Sequence, residues 1–193
     1  MKARNYLILT LLVVILFVVM SLSGRYQFNP HPGDMNDLDH EKFFKWGISW
    51  DVPYGEEIVG ASLLFNKIQN WGNAPNILYV NMLDRARTGL WEGVDHKAPG
   101  NMFAHQGSKI VDLVNLPPWP QDIGYHFNEQ QIEKLKEYSA DGNFGFGLDP
   151  DCHYFNDGVT LEIYTAPAPE FIALMLLSDA LVALILIRRR KVS

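Results

Sequence analysis

Val159-Thr160-Leu161-Glu162-Ile163-Tyr164 decides the fold class of this chain. Val159, Leu161 and Ile163 alternate with Thr160 and Glu162, the two-residue period of a strand with one face in a core and the other in water. Working outward, residues 110–116 repeat the pattern at Val111, Asp112 and Leu113. Residues 43–50, rich in aromatics, and residues 58–68, 76–83 and 123–127 read as further short strands, separated by clusters of Gly, Pro, Asn and Asp. Trp46 and Trp50 fall on one strand face and are expected to line the core. A single helix interrupts the pattern. Asn128 is a good N-cap with Gln131 three residues on, Phe127 and Ile132 hold the staple positions, and Ile132, Leu135 and Tyr138 share one face. Gly142 is the expected C′ residue. Many short strands with one helix and no series of crossover helices point to an all-β fold, an antiparallel β-sandwich of jelly-roll type.

The two ends of the chain are of another kind. Lys2 and Arg4 precede an apolar run from Tyr6 to Met20, and Ser21-Leu22-Ser23-Gly24 places small residues at a potential cleavage point. Residues 1–23 therefore read as a signal peptide or an uncleaved signal anchor. Residues 24–37, rich in Pro, Asn and Asp, read as a linker, residues 38–165 as the sandwich domain, and residues 166–193 as a tail. In that tail, residues 171–187 form an apolar span at the short limit for crossing a bilayer of roughly 30 Å. Asp179 within it costs on the order of 2.5–3.5 kcal/mol, offset by its many Leu, Ile, Val and Phe side chains. Basic residues at both outer ends, Lys2 and Arg4, then Arg188, Arg189, Arg190 and Lys191, place residues 24–166 across the membrane. Apolar helices are thus expected to flank the domain on either side.

Pro169, Glu170, the apolar span and the Arg188-Arg189-Arg190 cluster resemble the PEP-CTERM sorting signal of Gram-negative exported proteins. Phe171 stands where that motif carries a second proline. The segment Gly145-Phe146-Gly147-Leu148-Asp149-Pro150-Asp151-Cys152-His153-Tyr154-Phe155-Asn156-Asp157-Gly158 also resembles exported proteins with such tails. The resemblance implies an exosortase-type processing enzyme as partner and a precursor held in the inner membrane. It further implies a mature location at the cell surface or in the extracellular matrix. It implies no activity for the domain.

Charge narrows the partners. Residues 24–170 carry 10 Lys and Arg against 21 Asp and Glu, near −11, which argues against nucleic acid and is compatible with divalent cations and neutral polysaccharides. Cys152 is the only cysteine, so no internal disulfide forms.

Three chemical constellations stand out. Asp149, Asp151, Asn156 and Asp157 crowd oxygen ligands between Pro150 and Gly158, a candidate Ca²⁺ site without EF-hand spacing; the alternative is an acidic inter-strand turn. Cys152-His153 is a weaker transition-metal suggestion, because neighbours in a strand point to opposite faces. Trp91 and Trp119, in segments that read as loops, are the candidates for stacking on a sugar ring. The six histidines are scattered, and no nucleophile elbow or phosphate loop is present. The expectation is a non-catalytic envelope or matrix protein that binds polysaccharide, with a secreted enzyme acting on extracellular polysaccharide as the alternative.

Overall fold

The computed structural model describes residues 24–31, 33–97 and 99–178. The described residues divide into two compact units, one within residues 25–52 and 58–164, the other of residues 24, 53–57 and 165–178. The expected N-terminal apolar segment lies outside the described residues, as does the tail beyond residue 178. Residues 169–178 are helical. Among the described residues no helix is long and apolar enough to cross a membrane, so the expectation of flanking apolar helices is not supported by them.

The elements run β1 (Arg25–Phe28), β2 (Asp37–Leu38), β3 (Lys42–Ser49), β4 (Glu56–Asn70), β5 (Ile77–Leu83), β6 (Gly89–Val94), β7 (Ser108–Val114), β8 (Gln121–His126), α1 (Glu129–Tyr138), β9 (Asn143–Pro150), β10 (Tyr154–Phe155) and β11 (Val159–Pro167). They form two antiparallel sheets. One has the order β1-β11-β4-β10-β2, with β8 also on β4; the other has the order β6-β3-β9-β5-β7.

Both sheets feed one core in the larger unit. Phe44, Trp46 and Ile48 of β3, Leu78, Val80 and Met82 of β5, and Phe144, Phe146 and Leu148 of β9 face Leu63, Phe65 and Ile68 of β4 and Val159, Leu161 and Ile163 of β11. Within β4 the period-2 pattern breaks between Phe65 and Ile68, where inward residues pass from odd to even numbers. Lys67 there has φ 48° and the register with β8 shifts between Phe65 and Ile68, so one extra residue is absorbed as a bulge. Trp46 lines the core as expected, whereas Trp50 is half-buried against Tyr26 and Phe28.

α1 forms where expected. Gln131 N–H donates to Asn128 Oδ1 and Asn128 N–H to Gln131 Oε1, each at 3.0 Å, closing the capping box. Gln131 also donates to the Ile110 carbonyl at 2.7 Å, tying the helix to β7. The helix ends sooner than expected: its C-cap is Ser139, and Gly142, with φ 76°, turns the chain into β9 instead.

Several elements differ from the sequence expectation. Residues 24–37 are not only a linker, because β1 pairs with β11 from Arg25↔Tyr164 to Phe28↔Leu161 and β2 pairs with β10. The sandwich therefore begins at residue 25 rather than 38. Trp91 lies on edge strand β6, not in a loop. The largest difference is β9, a central strand with glycines at the alternate positions 145 and 147. At these two positions its outer face has no room for a side chain: a Cβ on Gly145 would meet the Trp46 carbonyl oxygen at 2.4 Å, and one on Gly147 the Phe103 ring at 2.7 Å. Phe103 belongs to a small second cluster with Leu83 and Ala86, which covers that outer face.

In the smaller unit, Gly24 and Thr165 exchange backbone hydrogen bonds, and Ala168 N–H donates to the Gly55 carbonyl at 2.8 Å. Phe171 packs edge-on against Tyr54, with ring centroids 5.9 Å apart.

Candidate functional site

The four expected Ca²⁺ ligands do not meet at one point. Asp157 Oδ2 is 2.7 Å from Lys67 Nζ in an exposed ion pair. Asn156 is buried and structural: its Nδ2 donates to the Met35 carbonyl at 2.5 Å, and its Oδ1 accepts the Gly158 N–H at 2.9 Å. Asp149 and Asp151, two apart along the chain, both turn to the loop at residues 95–102. Asp149 accepts the Met102 N–H, and Asp151 Oδ1 accepts the Gly100 N–H at 3.0 Å. Asp149 is fully buried, and among the described residues its Oδ1 has no hydrogen-bond partner. Burial is the main reason its carboxyl is pushed up to about 6; the Met102 N–H opposes the rise, while nearby Asp95 and Asp151 add to it. This acidic stretch therefore works chiefly as loop and strand anchors. Cys152 is buried, as expected of a small apolar residue.

The side chains that do converge were mostly invisible to sequence spacing. Asp39, His40 and His153 each offer one ligand atom, and these lie within 4.8 Å of one another. Asp39 Oδ1 is 3.4 Å from His40 Nδ1 and 4.0 Å from His153 Nδ1. Asp37 Oδ1 lies 2.5 Å from His153 Nε2, off the hydrogen-bonding direction. The β2–β10 ladder brings the two segments together, pairing Leu38 with Tyr154 and Asp37 with Phe155. Asp39 is held further by the Glu41 N–H, which donates to Oδ1 at 3.0 Å. The His153 ring stands beside Phe155 and Trp71, with centroids 4.8 Å and 6.1 Å away. Only His153 of this group was singled out in the sequence. A carboxylate, one intervening residue, then Asp-His is the signal that residues 37–40 carried, but nothing in it points to residue 153.

The β4–β5 and β7–β8 connections form a shallow groove lined by Asn73, Pro75, Asn115, Pro117, Pro118 and Trp119. The Trp119 indole is 63% exposed. Asn115 adopts φ 55°, and the side chains of Asn73 and Asn115 are open to solvent. Buried Asn76 braces the groove from below. It accepts the Leu116 N–H at 2.9 Å and the Tyr154 hydroxyl at 2.9 Å, and donates to the carbonyls of Leu116 and Ala74, each at 3.1 Å. The Asn70 N–H adds a bond to the Pro117 carbonyl at 2.8 Å. Trp71, on the first of these connections, is 67% exposed.

Trp91 is placed differently. Its Nε1–H donates to the Thr88 carbonyl at 3.2 Å, and the Arg87 guanidinium sits 3.3 Å above its ring centre. One face of that indole is thus already occupied by a cation.

No family model matches this chain, and no curated protein matches it. Among solved structures it is similar to a recombinantly expressed latent aurone synthase, a polyphenol oxidase, at 12% identity and a TM-score of 0.43, over 73% of this chain and 27% of that one. Latent apple tyrosinase gives 12% identity and a TM-score of 0.37, over 74% and 27%. A Clostridium thermocellum endo-1,4-beta-D-xylanase complexed with xylohexaose gives 9% and 0.25, over 75% and 25%. The chain thus spans about a quarter of the length of these proteins. Likenesses this distant assign it neither a fold family nor an activity.

Proposed function

We propose that this protein is a non-catalytic, polysaccharide-binding β-sandwich of jelly-roll type, exported to the cell envelope or extracellular matrix. The observation that carries the reading is the exposed Trp119 indole in a groove with the open amides of Asn73 and Asn115. A pyranose presents C–H groups on its face and hydroxyls on its rim. An indole takes the first and amides take the second. The groove walls are prolines and a loop braced by Asn76, so little conformational entropy is lost on binding. An acidic domain favours neutral over anionic glycans.

The tail supports export in the same spirit. Leu174, Leu176 and Leu177 are exposed apolar side chains on the helical stretch at residues 169–178, which suits a segment that enters a bilayer. On this reading Pro169, Glu170 and the Arg188-Arg189-Arg190 cluster direct processing by an exosortase-type enzyme after retention in the inner membrane.

Binding of the detergent-solubilised full chain to a panel of soluble polysaccharides tests the proposal. Saturable binding to a neutral polysaccharide, competed by its own oligosaccharides, is expected; no binding to any member contradicts it. The secreted-enzyme alternative draws on the carboxylate–imidazole cluster at residues 37–40 and 153. Cleavage of the bound glycan in the same assay would decide for it.

A further inference from the structure

We propose that Asp39, His40 and His153 form a site for a divalent transition metal, zinc foremost, with Asp37 orienting His153. The inference is independent of sugar binding, since none of these side chains lines the Trp119 groove.

The donor set sets the class of ion. Two imidazoles with one carboxylate suit zinc and its neighbours in the first transition row, whereas Ca²⁺ and Mg²⁺ want oxygen alone. The spacing agrees. Ligand atoms about 2.1 Å from a tetrahedral ion are separated by about 3.4 Å, and Asp39 Oδ1 and His40 Nδ1 are 3.4 Å apart. His153 Nδ1 lies 4.0 Å from the same oxygen, and all three ligand atoms lie within 4.8 Å of one another, so side-chain adjustment has to draw the set together around an ion.

Asp37 supplies an outer-shell feature of metal-bound histidines. Its Oδ1 lies 2.5 Å from His153 Nε2, which places a carboxylate beside the ring nitrogen left over when Nδ1 binds the ion. The site is also preformed by backbone. The β2–β10 pairing fixes the two segments, and the Glu41 N–H holds the Asp39 carboxylate. Phe155 and Trp71 flank the His153 ring. An ion pair between Asp37 and His153 would explain those two residues, but not a second carboxylate and a second imidazole aimed at the same point. Three protein ligands leave a fourth position for water or for a ligand oxygen.

The test uses the detergent-solubilised full chain, stripped with a chelator. It is titrated with Co²⁺, whose visible absorption reports tetrahedral nitrogen and oxygen ligation, and with Zn²⁺ against a chromophoric chelator. The wild type should bind one equivalent of Zn²⁺, undisplaced by excess Ca²⁺. His40→Gln, His153→Gln and Asp39→Asn should each weaken binding by at least about tenfold, and Asp37→Asn by about tenfold through the outer shell. His105→Gln, on an exposed turn elsewhere, should bind as wild type. The proposal fails if the wild type takes up no more Zn²⁺ than the variant lacking all three ligands. It also fails if His40→Gln and His153→Gln bind as wild type does. Should His153→Gln not fold, His40→Gln, on an exposed turn, decides the question alone.

Discussion

The Asn76 side chain and the Leu116 backbone hold each other reciprocally: the Leu116 N–H donates to Asn76 Oδ1 at 2.9 Å, and Asn76 Nδ2 donates to the Leu116 carbonyl at 3.1 Å. A core amide thereby positions a surface loop, and Trp119 follows three residues later.

Asn76→Ala should accordingly be costly. It leaves the buried Leu116 backbone groups and the Tyr154 hydroxyl without their partner, at about 1–3 kcal/mol for each such group. A loss of roughly 3 kcal/mol or more is expected in denaturant unfolding. Tyr154→Phe removes a single bond to the same oxygen and should cost about 1 kcal/mol. Equal, small losses for both variants would mean that Asn76 does not brace the loop.

Asp149 imposes a pH dependence of unusual sign. Its carboxyl, pushed up to about 6 by burial, holds its proton in the folded state after the unfolded chain has lost it. Stability from this group is therefore present at low pH and lost as pH rises from about 4 to about 6, by up to about 3 kcal/mol. Asp149→Asn keeps an acceptor for Met102 and removes the charge. It should melt higher than wild type at pH 8 and match it at pH 4. A variant that melts below wild type at pH 8 would contradict the account.

Glu162 acts in the opposite direction. The Tyr164 hydroxyl, the Arg25 guanidinium and the Gln27 amide donate to it and hold its carboxyl down to about 2. That stabilisation is present above the ordinary carboxylate range and is lost as pH falls through it toward about 2. Glu162→Gln should lower the melting temperature at pH 7 and flatten its fall between pH 5 and about 2. An unchanged acid profile would show that the cluster contributes nothing.

β9 and the strand at residues 159–164 show how far the sequence is legible. In β11, Val159, Leu161 and Ile163 announce both period and buried face. In β9, Phe144, Phe146 and Leu148 have the same period, but glycines lie between them, and glycine ordinarily weakens a strand. Only the folded chain reveals that Trp46, Ala86 and Phe103 press on those positions. α1 was readable to its capping box because helix caps are local. The groove was half readable: Trp119 stood out between prolines, whereas Asn76 and Leu116 meet only through the β5–β7 pairing. The carboxylate–imidazole cluster was unreadable, because it depends on a two-residue ladder between distant segments.

Gly147→Ala tests the packing on β9. Its Cβ would sit 2.7 Å from Phe103, so ring and loop must move, at a cost of about 1–3 kcal/mol. Adding Phe103→Leu should recover part of that loss in a double-mutant cycle. Full additivity would place the strain elsewhere.

The central claim is that the Trp119 groove binds polysaccharide, and affinity of the full chain for its neutral polysaccharide, compared between Trp119→Ala and Trp91→Ala, tests it most directly. Loss of an aromatic stacking residue at the centre of a binding site typically costs about 2 kcal/mol or more, so Trp119→Ala should weaken binding by about thirtyfold. Trp91→Ala, removing an indole already stacked on Arg87, should leave affinity unchanged. Binding that survives Trp119→Ala in full, or is lost only with Trp91→Ala, would contradict the account.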